Sequence, residues 1–266
     1  MKIIFFDIDG TLICGGNERM PESTKEAIRI ARANGHICMI NTGRTKRLVG
    51  EEITGQVEFD GLLLGCGTEI EYRGERLMHK TFTLEESQAI LDAMKKYHVD
   101  AILEGSREDY APRGEEVFTQ AFRNMAAEIE ERKYDRYANA LGNFDKLYAY
   151  AQSPEGMDGM KRDLSEILDF IDREHGFHEL VPGGYSKATA IRYITDYLKI
   201  PMEDTVAIGD SNNDLPMLRY AGMGVAMGNA SDRIKEQADY VTDSNDDDGI
   251  VKVIEKFMTE AHHEEG

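Results

Sequence analysis

The sequence predicts an α/β protein, a doubly wound parallel sheet with an α+β module inserted into it. Three observations carry that prediction. First, residues 3–6 (Ile-Ile-Phe-Phe) and 205–208 (Thr-Val-Ala-Ile) are short runs rich in β-branched or apolar residues. Runs of that kind are buried on both faces, as strands of a parallel sheet covered by helices are. Second, such runs alternate with helical spacing, through short loops, at both ends of the chain. Third, the middle of the chain breaks the alternation and groups its strands and helices differently.

The elements follow in order. After the first strand at 3–6, residues 22–34 have helical spacing at Ala27, Ile28, Ala31 and Arg32, with Ser23 or Thr24 as the cap and Gly35 past the end. Residues 37–40 form a second strand that runs into Asn41-Thr42-Gly43-Arg44. A helix begins near Thr45, and 61–64 is a third strand. Residues 69–72 and 76–79 alternate around Arg73-Gly74-Glu75, as a hairpin does. Thr83-Leu84-Glu85-Glu86 has capping-box form and opens a helix to about Tyr97. Residues 99–103, 145–151 and 177–181 read as strands, and 115–131 and 159–174 as helices. The polar run 132–143 gives no assignment. Pro182-Gly183-Gly184 marks the return to alternation. A helix at 186–198 follows, then a buried strand at 205–208 ending in Gly209-Asp210-Ser211-Asn212-Asn213-Asp214. A helix to Tyr220, a strand at 224–226, a helix at 231–238, a short strand at 239–241 and a final helix at 248–258 complete the pattern. Residues 1–79 and 184–266 thus form one domain and 80–183 an inserted one. The tail 261–266 is expected to fray.

With 266 residues, 41% hydrophobic and 30% charged, the chain has room for one large or two medium domains of ordinary composition. Its 31 basic and 50 acidic residues give a net charge of −19. That field repels a phosphate backbone, so nucleic acid is not an expected partner, and any phosphate site needs local cations. Cys14, Cys38 and Cys66 have no metal-binding spacing and read as reduced, buried thiols of a cytoplasmic protein. No run approaches ~18 apolar residues, so no membrane span is expected. Met1-Lys2 followed by a strand is not a signal peptide.

Four strand ends or helix starts carry unusual polar chemistry: Asp7 with Asp9, Thr42-Gly43, Lys187, and Asp210 with Asn213 and Asp214. In a parallel sheet, ligands bind at the carboxyl ends of the strands. Asp7 and Asp9 stand two apart, so both can face one site, and two such charges repel unless a cation or proton lies between them. An acidic turn after an edge strand is the competing reading. Gly10 lets the backbone turn sharply there. The four segments supply acidic oxygens for a hard cation such as Mg2+, a hydroxyl and an amide for an anion, and one ammonium group. That inventory fits phosphoryl transfer.

On these residues the chain resembles the haloacid dehalogenase-like (HAD) hydrolase superfamily, in its Cof-type sugar-phosphatase branch. Asp7-Ile8-Asp9-Gly10-Thr11 stands as the family's DxDGT, Thr42 as its second motif, Lys187 as its third, and 209–214 as its GDxxND. The insertion falls between the second and third motifs, as in members with an α/β (C2B) cap on a Rossmann-like core. The resemblance implies a Mg2+-dependent phosphatase of small phosphorylated metabolites that works through an aspartyl-phosphate. It makes Asp7 the nucleophile and Asp9 the general acid and base. Mg2+ would be held by Asp7, the Asp9 main-chain carbonyl, Asp210 and Asp214. Thr42, Lys187, Asn213 and the amides of Ile8 and Gly43 would hold the phosphate. Arg44, Glu104, Arg107 and Arg113 are candidates for substrate contact.

Each role has a plainer alternative. Thr42 or Asp214 can cap a helix, Lys187 can be structural, and Arg44 can make a surface ion pair. Glu104, Arg107 and Arg113 can be solvated surface. At the level of function, a phosphomutase of the phosphomannomutase kind and a non-catalytic metabolite-binding module are the alternatives. The substrate and the oligomeric state are not legible in the sequence.

Overall fold

A computed structural model describes residues 1–13, 18–173 and 175–258, with Glu115 through its backbone alone. Cys14 and the tail 261–266 lie outside the described residues. The chain is α/β, and its elements in order are β1 (Ile3–Phe6), α1 (Glu22–Ala33), β2 (Ile37–Asn41), α2 (Lys46–Thr54), β3 (Gly61–Leu64), β4 (Glu69–Tyr72), β5 (Glu75–His79), α3 (Leu84–Tyr97), β6 (Val99–Glu104) and β7 (Asp109–Ala111). Next come α4 (Gln120–Asn124), α5 (Ala126–Glu131), β8 (Asp135–Arg136), β9 (Lys146–Ala151), α6 (Pro154–Leu164), β10 (Leu168–Asp172) and β11 (Phe177–Pro182). The last are α7 (Lys187–Leu198), β12 (Thr205–Gly209), α8 (Leu215–Tyr220), β13 (Met223–Ala226), α9 (Asp232–Lys235), β14 (Tyr240–Val241) and α10 (Gly249–Met258). The chain divides into two compact units: Met1–Arg44, Leu48–Met78 and Ser186 onward form one, and Thr45–Arg47 with His79–Tyr185 the other.

The first unit holds an eight-stranded sheet in the order β14-β13-β12-β1-β2-β3-β4-β5. β1 is central, paired in parallel with β12 from Ile3–Thr205 to Phe6–Ile208 and with β2 from Ile3–Ile37 to Phe6–Ile40. The parallel run extends through β3 on one side and through β13 and β14 on the other, and β4 is antiparallel to β3. Alternate residues of β1 enter opposite cores. Ile4 and Phe6 pack with Ile28, Ile53 and Ile254, whereas Ile3 and Phe5 pack with Ile191, Ile194 and Met217. Burial on both faces is why this strand has no polar member. Among the described residues, Cys38 and Cys66 are buried and form no disulfide. Burial, with the charge of Asp60, pushes the Cys38 thiol up to about 12.

The second unit has a six-stranded sheet in the order β10-β11-β9-β6-β7-β8, antiparallel except for the β7–β8 pair. Ile90 and Met94 of α3 and Met157, Met160 and Leu164 of α6 pack with Leu103, Leu147, Ala149 and Leu180 of the sheet.

Several expectations need correction. Ser23 and Thr24 do not cap α1: Pro21 holds the cap position without a side-chain bond, and Ser23 donates to Asp248 Oδ1 at 2.5 Å. The helix expected over 115–131 is broken. Buried Asp100 accepts from the amides of Phe118 and Thr119 at 3.0 and 2.7 Å, which holds that stretch extended, and Thr119 then caps α4. The helix expected over 159–174 ends at Leu164, and residues 168–172 form β10. Its pairing with β11, from Leu168–Pro182 to Asp172–His178, outweighs the local helical spacing. The sequence pattern does not predict the short strands β7 and β8, and α9 covers only 232–235 of the helix expected at 231–238. Among the described residues no helix is long and apolar enough to cross a membrane.

Candidate active site

Parallel pairing brings the carboxyl ends of β1, β2 and β12 side by side, and the polar residues that follow them come with it. Asp7 follows β1, Thr42 follows β2, and Asp210 to Asp214 follow β12. Lys187 is the first residue of α7. Its place is fixed by a reciprocal cap in which Ser186 Oγ accepts from Thr189 N at 3.2 Å and Thr189 Oγ1 accepts from Ser186 N at 2.9 Å.

Lys187 is fully buried, and its Nζ donates to Oδ1 of Asp7 and Oδ1 of Asp214, each at 2.5 Å. The other oxygen of Asp214 accepts from the Asp210 and Ser211 amides at 3.0 and 2.9 Å. Asp214 stands at the cap position of α8 but makes no cap bond to that helix. Its carboxylate instead ties Lys187 to the loop after β12.

Carboxylate oxygens of Asp7, Asp210 and Asp214 lie within 4.8 Å of one another. Burial raises the Asp7 carboxyl well above the usual range, and the charges of Asp214 and Asp210 add to the rise against the pull of Lys187. Burial alone would lower Lys187, but Asp214 and Asp7 outweigh it and hold the ammonium above the ordinary lysine value. Three carboxylates, two of them buried, crowd together around Lys187, and that crowding favours a bound cation or proton. The donors of this group are all oxygens, and a hard divalent cation such as Mg2+ fits them.

Asp9 lies apart from this buried cluster, with a half-exposed side chain. Arg44 forks onto it, Nε to Oδ2 at 2.9 Å and Nη2 to Oδ1 at 2.7 Å. Arg44 Nη1 also reaches Glu18 Oε1 at 3.0 Å and the Leu48 carbonyl at 3.2 Å. Offered as a substrate contact, Arg44 is thus engaged in an ion pair, the alternative reading of that residue. The Asp7–Asp9 segment closes in a tight turn: the Ile8 carbonyl accepts from the amides of Thr11, Leu12 and Ile13. Ile8 is buried and Gly10 has φ 77°.

Thr42 Oγ1 accepts from the Arg44 amide at 3.1 Å, which curls the chain around Gly43. α2 begins only at Lys46, so Thr42 is not its cap. Asn213 is buried, and its Oδ1 accepts from Ser211 Oγ at 2.7 Å.

Glu104, Arg107 and Arg113 belong to the second unit. Glu104 is buried and pairs with Lys146 at 2.8 Å, and Lys146 also meets Glu179 at 2.6 Å. Arg113 donates to the Tyr134 carbonyl at 2.7 Å and so holds a loop. Arg107 is exposed on the turn between β6 and β7.

Two asparagines escaped the sequence reading. Asn229 Nδ2 donates to the Gly10 carbonyl at 2.8 Å and lies 3.5 Å from Asp210 Oδ2. Asn229 Oδ1 accepts from the Asn245 amide at 3.3 Å, and Asn245 Nδ2 donates to the Ile13 carbonyl at 3.0 Å. The signal for Asn229 was present, since it is a polar residue just past the carboxyl end of a buried strand, as Asp7 and Asp210 are.

The family described as haloacid dehalogenase-like hydrolase matches residues 4–254 of the chain. Over 270 residues the chain is 27% identical to the 5-amino-6-(5-phospho-D-ribitylamino)uracil phosphatase YitU of Bacillus subtilis (strain 168), covering 97% of each. Among solved structures it is similar to a HAD subclass IIB sugar phosphatase, with a TM-score of 0.81 and 27% identity over 97% of this chain and 99% of the other. It is also similar to a HAD-superfamily phosphatase from Bacteroides thetaiotaomicron, with a TM-score of 0.85 and 25% identity over 97% and 95% of the two chains.

Proposed function

We propose, for a chain that belongs to the haloacid dehalogenase-like hydrolase family, that it is a Mg2+-dependent phosphatase of small phosphorylated metabolites, a sugar phosphate or a similar ester, acting through an aspartyl-phosphate on Asp7. The observation that carries the reading is the buried convergence of Asp7, Lys187 and Asp214, with Asp210 in reach.

The residues divide the work as follows. Lys187, the Thr42 hydroxyl, Asn213 and the amides of Ile8 and Gly43 hold the phosphoryl group, and Lys187 offsets its charge. A carboxylate oxygen of Asp7 attacks phosphorus and displaces the leaving oxygen, which Asp9 protonates. Asp9 then takes a proton from the water that cleaves the acyl-phosphate, and Asp7 is regenerated. The carboxylates of Asp7, Asp210 and Asp214 and the Asp9 carbonyl would hold Mg2+, which when bound draws charge from the phosphoryl oxygens. Arg44 donates to both Asp9 oxygens here, so opening of that fork would free the carboxyl for its acid and base roles. Selectivity for the leaving group is assigned to the inserted segment 80–183, and the protein is placed in the cytoplasm.

Purified enzyme screened for phosphate release against a panel of phosphorylated metabolites, with and without Mg2+, tests this reading. Hydrolysis of at least one ester in Mg2+ is expected. Release from none would end the phosphatase reading, and transfer to a second hydroxyl of the sugar in place of free phosphate would replace it with a mutase.

A further inference from the structure

β2 ends on a buried amide where its pattern would take a hydrocarbon. Ile37, Cys38, Met39 and Ile40 are buried and apolar, and Asn41 after them is fully buried too. By strand alternation Asn41 shares the face of Ile37 and Met39, the face that packs with Ala190 and Ile191 of α7 and Met217 of α8. Asn41 Nδ2 donates to the main-chain carbonyl of Lys187 at 3.0 Å and lies 3.4 Å from Met217 Sδ. Its Oδ1 is buried without a partner. A stranded buried carbonyl costs stability, and a leucine of similar shape would avoid that cost. Stability therefore does not account for an amide at this place. Its contacts do, because they join the segments of the site. Thr42 is its neighbour in the chain, Lys187 accepts its hydrogen bond, and Met217 stands three residues beyond Asp214.

We infer that Asn41 is a positioning residue for phosphoryl binding. Its bond to the Lys187 carbonyl fixes the first turn of α7 against the end of β2, and so sets the Lys187 ammonium at its distance from the Thr42 hydroxyl. The inference rests on the phosphatase reading and adds to it a residue that touches neither substrate nor reacting atoms. A displaced ammonium weakens every complex that contains the phosphoryl group or free phosphate. KM and the inhibition constant of inorganic phosphate therefore rise together, and kcat changes less.

The test uses the full-length Asn41→Leu and Asn41→Ser variants, with p-nitrophenyl phosphate as substrate, inorganic phosphate as competitive inhibitor, Mg2+ present, and the melting temperature recorded. Asn41→Leu should melt at or above the wild type while its phosphate inhibition constant rises roughly tenfold, the loss of about one hydrogen bond. Asn41→Ser keeps a shorter donor and should fall between the two. An unchanged phosphate inhibition constant in folded Asn41→Leu overturns the inference, whatever its melting temperature. If Asn41→Leu does not fold, the inhibition constant of Asn41→Ser decides in the same way. A wild type that neither binds phosphate nor releases it from any ester overturns the phosphatase reading and this inference with it. An active wild type with unaffected variants overturns this inference alone.

Discussion

Gly10 and Asp210 are so close that a Cβ placed on Gly10 would lie 2.6 Å from the Asp210 carboxyl carbon, and Gly10 has φ 77°, where a side chain is strained. A side chain at this position would thus meet two independent costs, a shift of the Asp210 carboxylate and a strained backbone. Gly10→Ala should push the Asp210 carboxylate away from Asp7 and Asp214. A displacement of that kind costs on the order of 10²-fold in turnover. Strain at a non-glycine positive φ adds roughly 1–3 kcal/mol of destabilisation. Steady-state kinetics alongside a melting curve reads both, and wild-type kcat in the alanine variant would remove the geometric argument.

The crowding of Asp7, Asp210 and Asp214 predicts how the protein responds to metal. Chelator should abolish phosphatase activity and added Mg2+ should restore it. Mg2+ should also raise the melting temperature of the wild type, because a ligand at a hundredfold its Kd adds about 2.7 kcal/mol to stability. In Asp210→Asn that rise should be small. The metal-free variant should melt no lower than metal-free wild type, since one of three crowded charges has gone. Activity undiminished in chelator, or an equal Mg2+ shift in both proteins, would remove the metal from this site.

Asp7 and Asp9 stand two residues apart in different surroundings, one buried against Lys187 and the other half-exposed under Arg44. They should fail in different ways. Asp7→Asn removes the nucleophile and should stop turnover. Asp9→Asn removes acid and base, a loss of roughly 10²- to 10⁴-fold, felt most with alkoxide leaving groups. With p-nitrophenyl phosphate the leaving group needs little protonation, so the aspartyl-phosphate should form and accumulate in Asp9→Asn. Intact mass of acid-quenched enzyme would show it. Phosphate trapped on Asp7→Asn would mean that another residue is the nucleophile.

His36 makes a stability prediction with a definite sign. Its Nδ1 accepts from the Lys2 amide at 3.1 Å, so Nε2 carries the proton and donates to the Met258 carbonyl at 3.1 Å. Burial lowers its proton affinity in the fold. A group whose folded pKa lies below its unfolded value of about 6.5 stabilises the protein above that pH and loses the contribution as pH falls. Urea midpoints should therefore drop between pH 7 and 5 in the wild type. The drop should be shallower in His36→Gln, which starts from a lower stability. Equal slopes would show that His36 does not couple protons to folding.

Much of this protein was determined by sequence alone, and the physical reason is local. A strand buried on both faces must be apolar throughout, as 3–6 is, so the sheet was legible without knowing its order. Capping residues act within one turn, so the start of α3 at Thr83 was legible as well. The positions of Asp7, Thr42, Lys187 and Asp214 could be read because each follows such a strand or opens such a helix. What only the tertiary structure decided depends on partners far away in the chain. Residues 168–172 are a strand because β11 pairs with them, and the stretch before α4 is extended because Asp100 takes its amides. The same holds at the site. That Arg44 closes on Asp9, that Asp210 lies against Gly10, and that Asn41 and Asn229 bond the carbonyls of Lys187 and Gly10 all follow from strand order. Hydrogen bonds reach about 3 Å whatever the separation in sequence, and only the packed sheet sets which residues come within that reach.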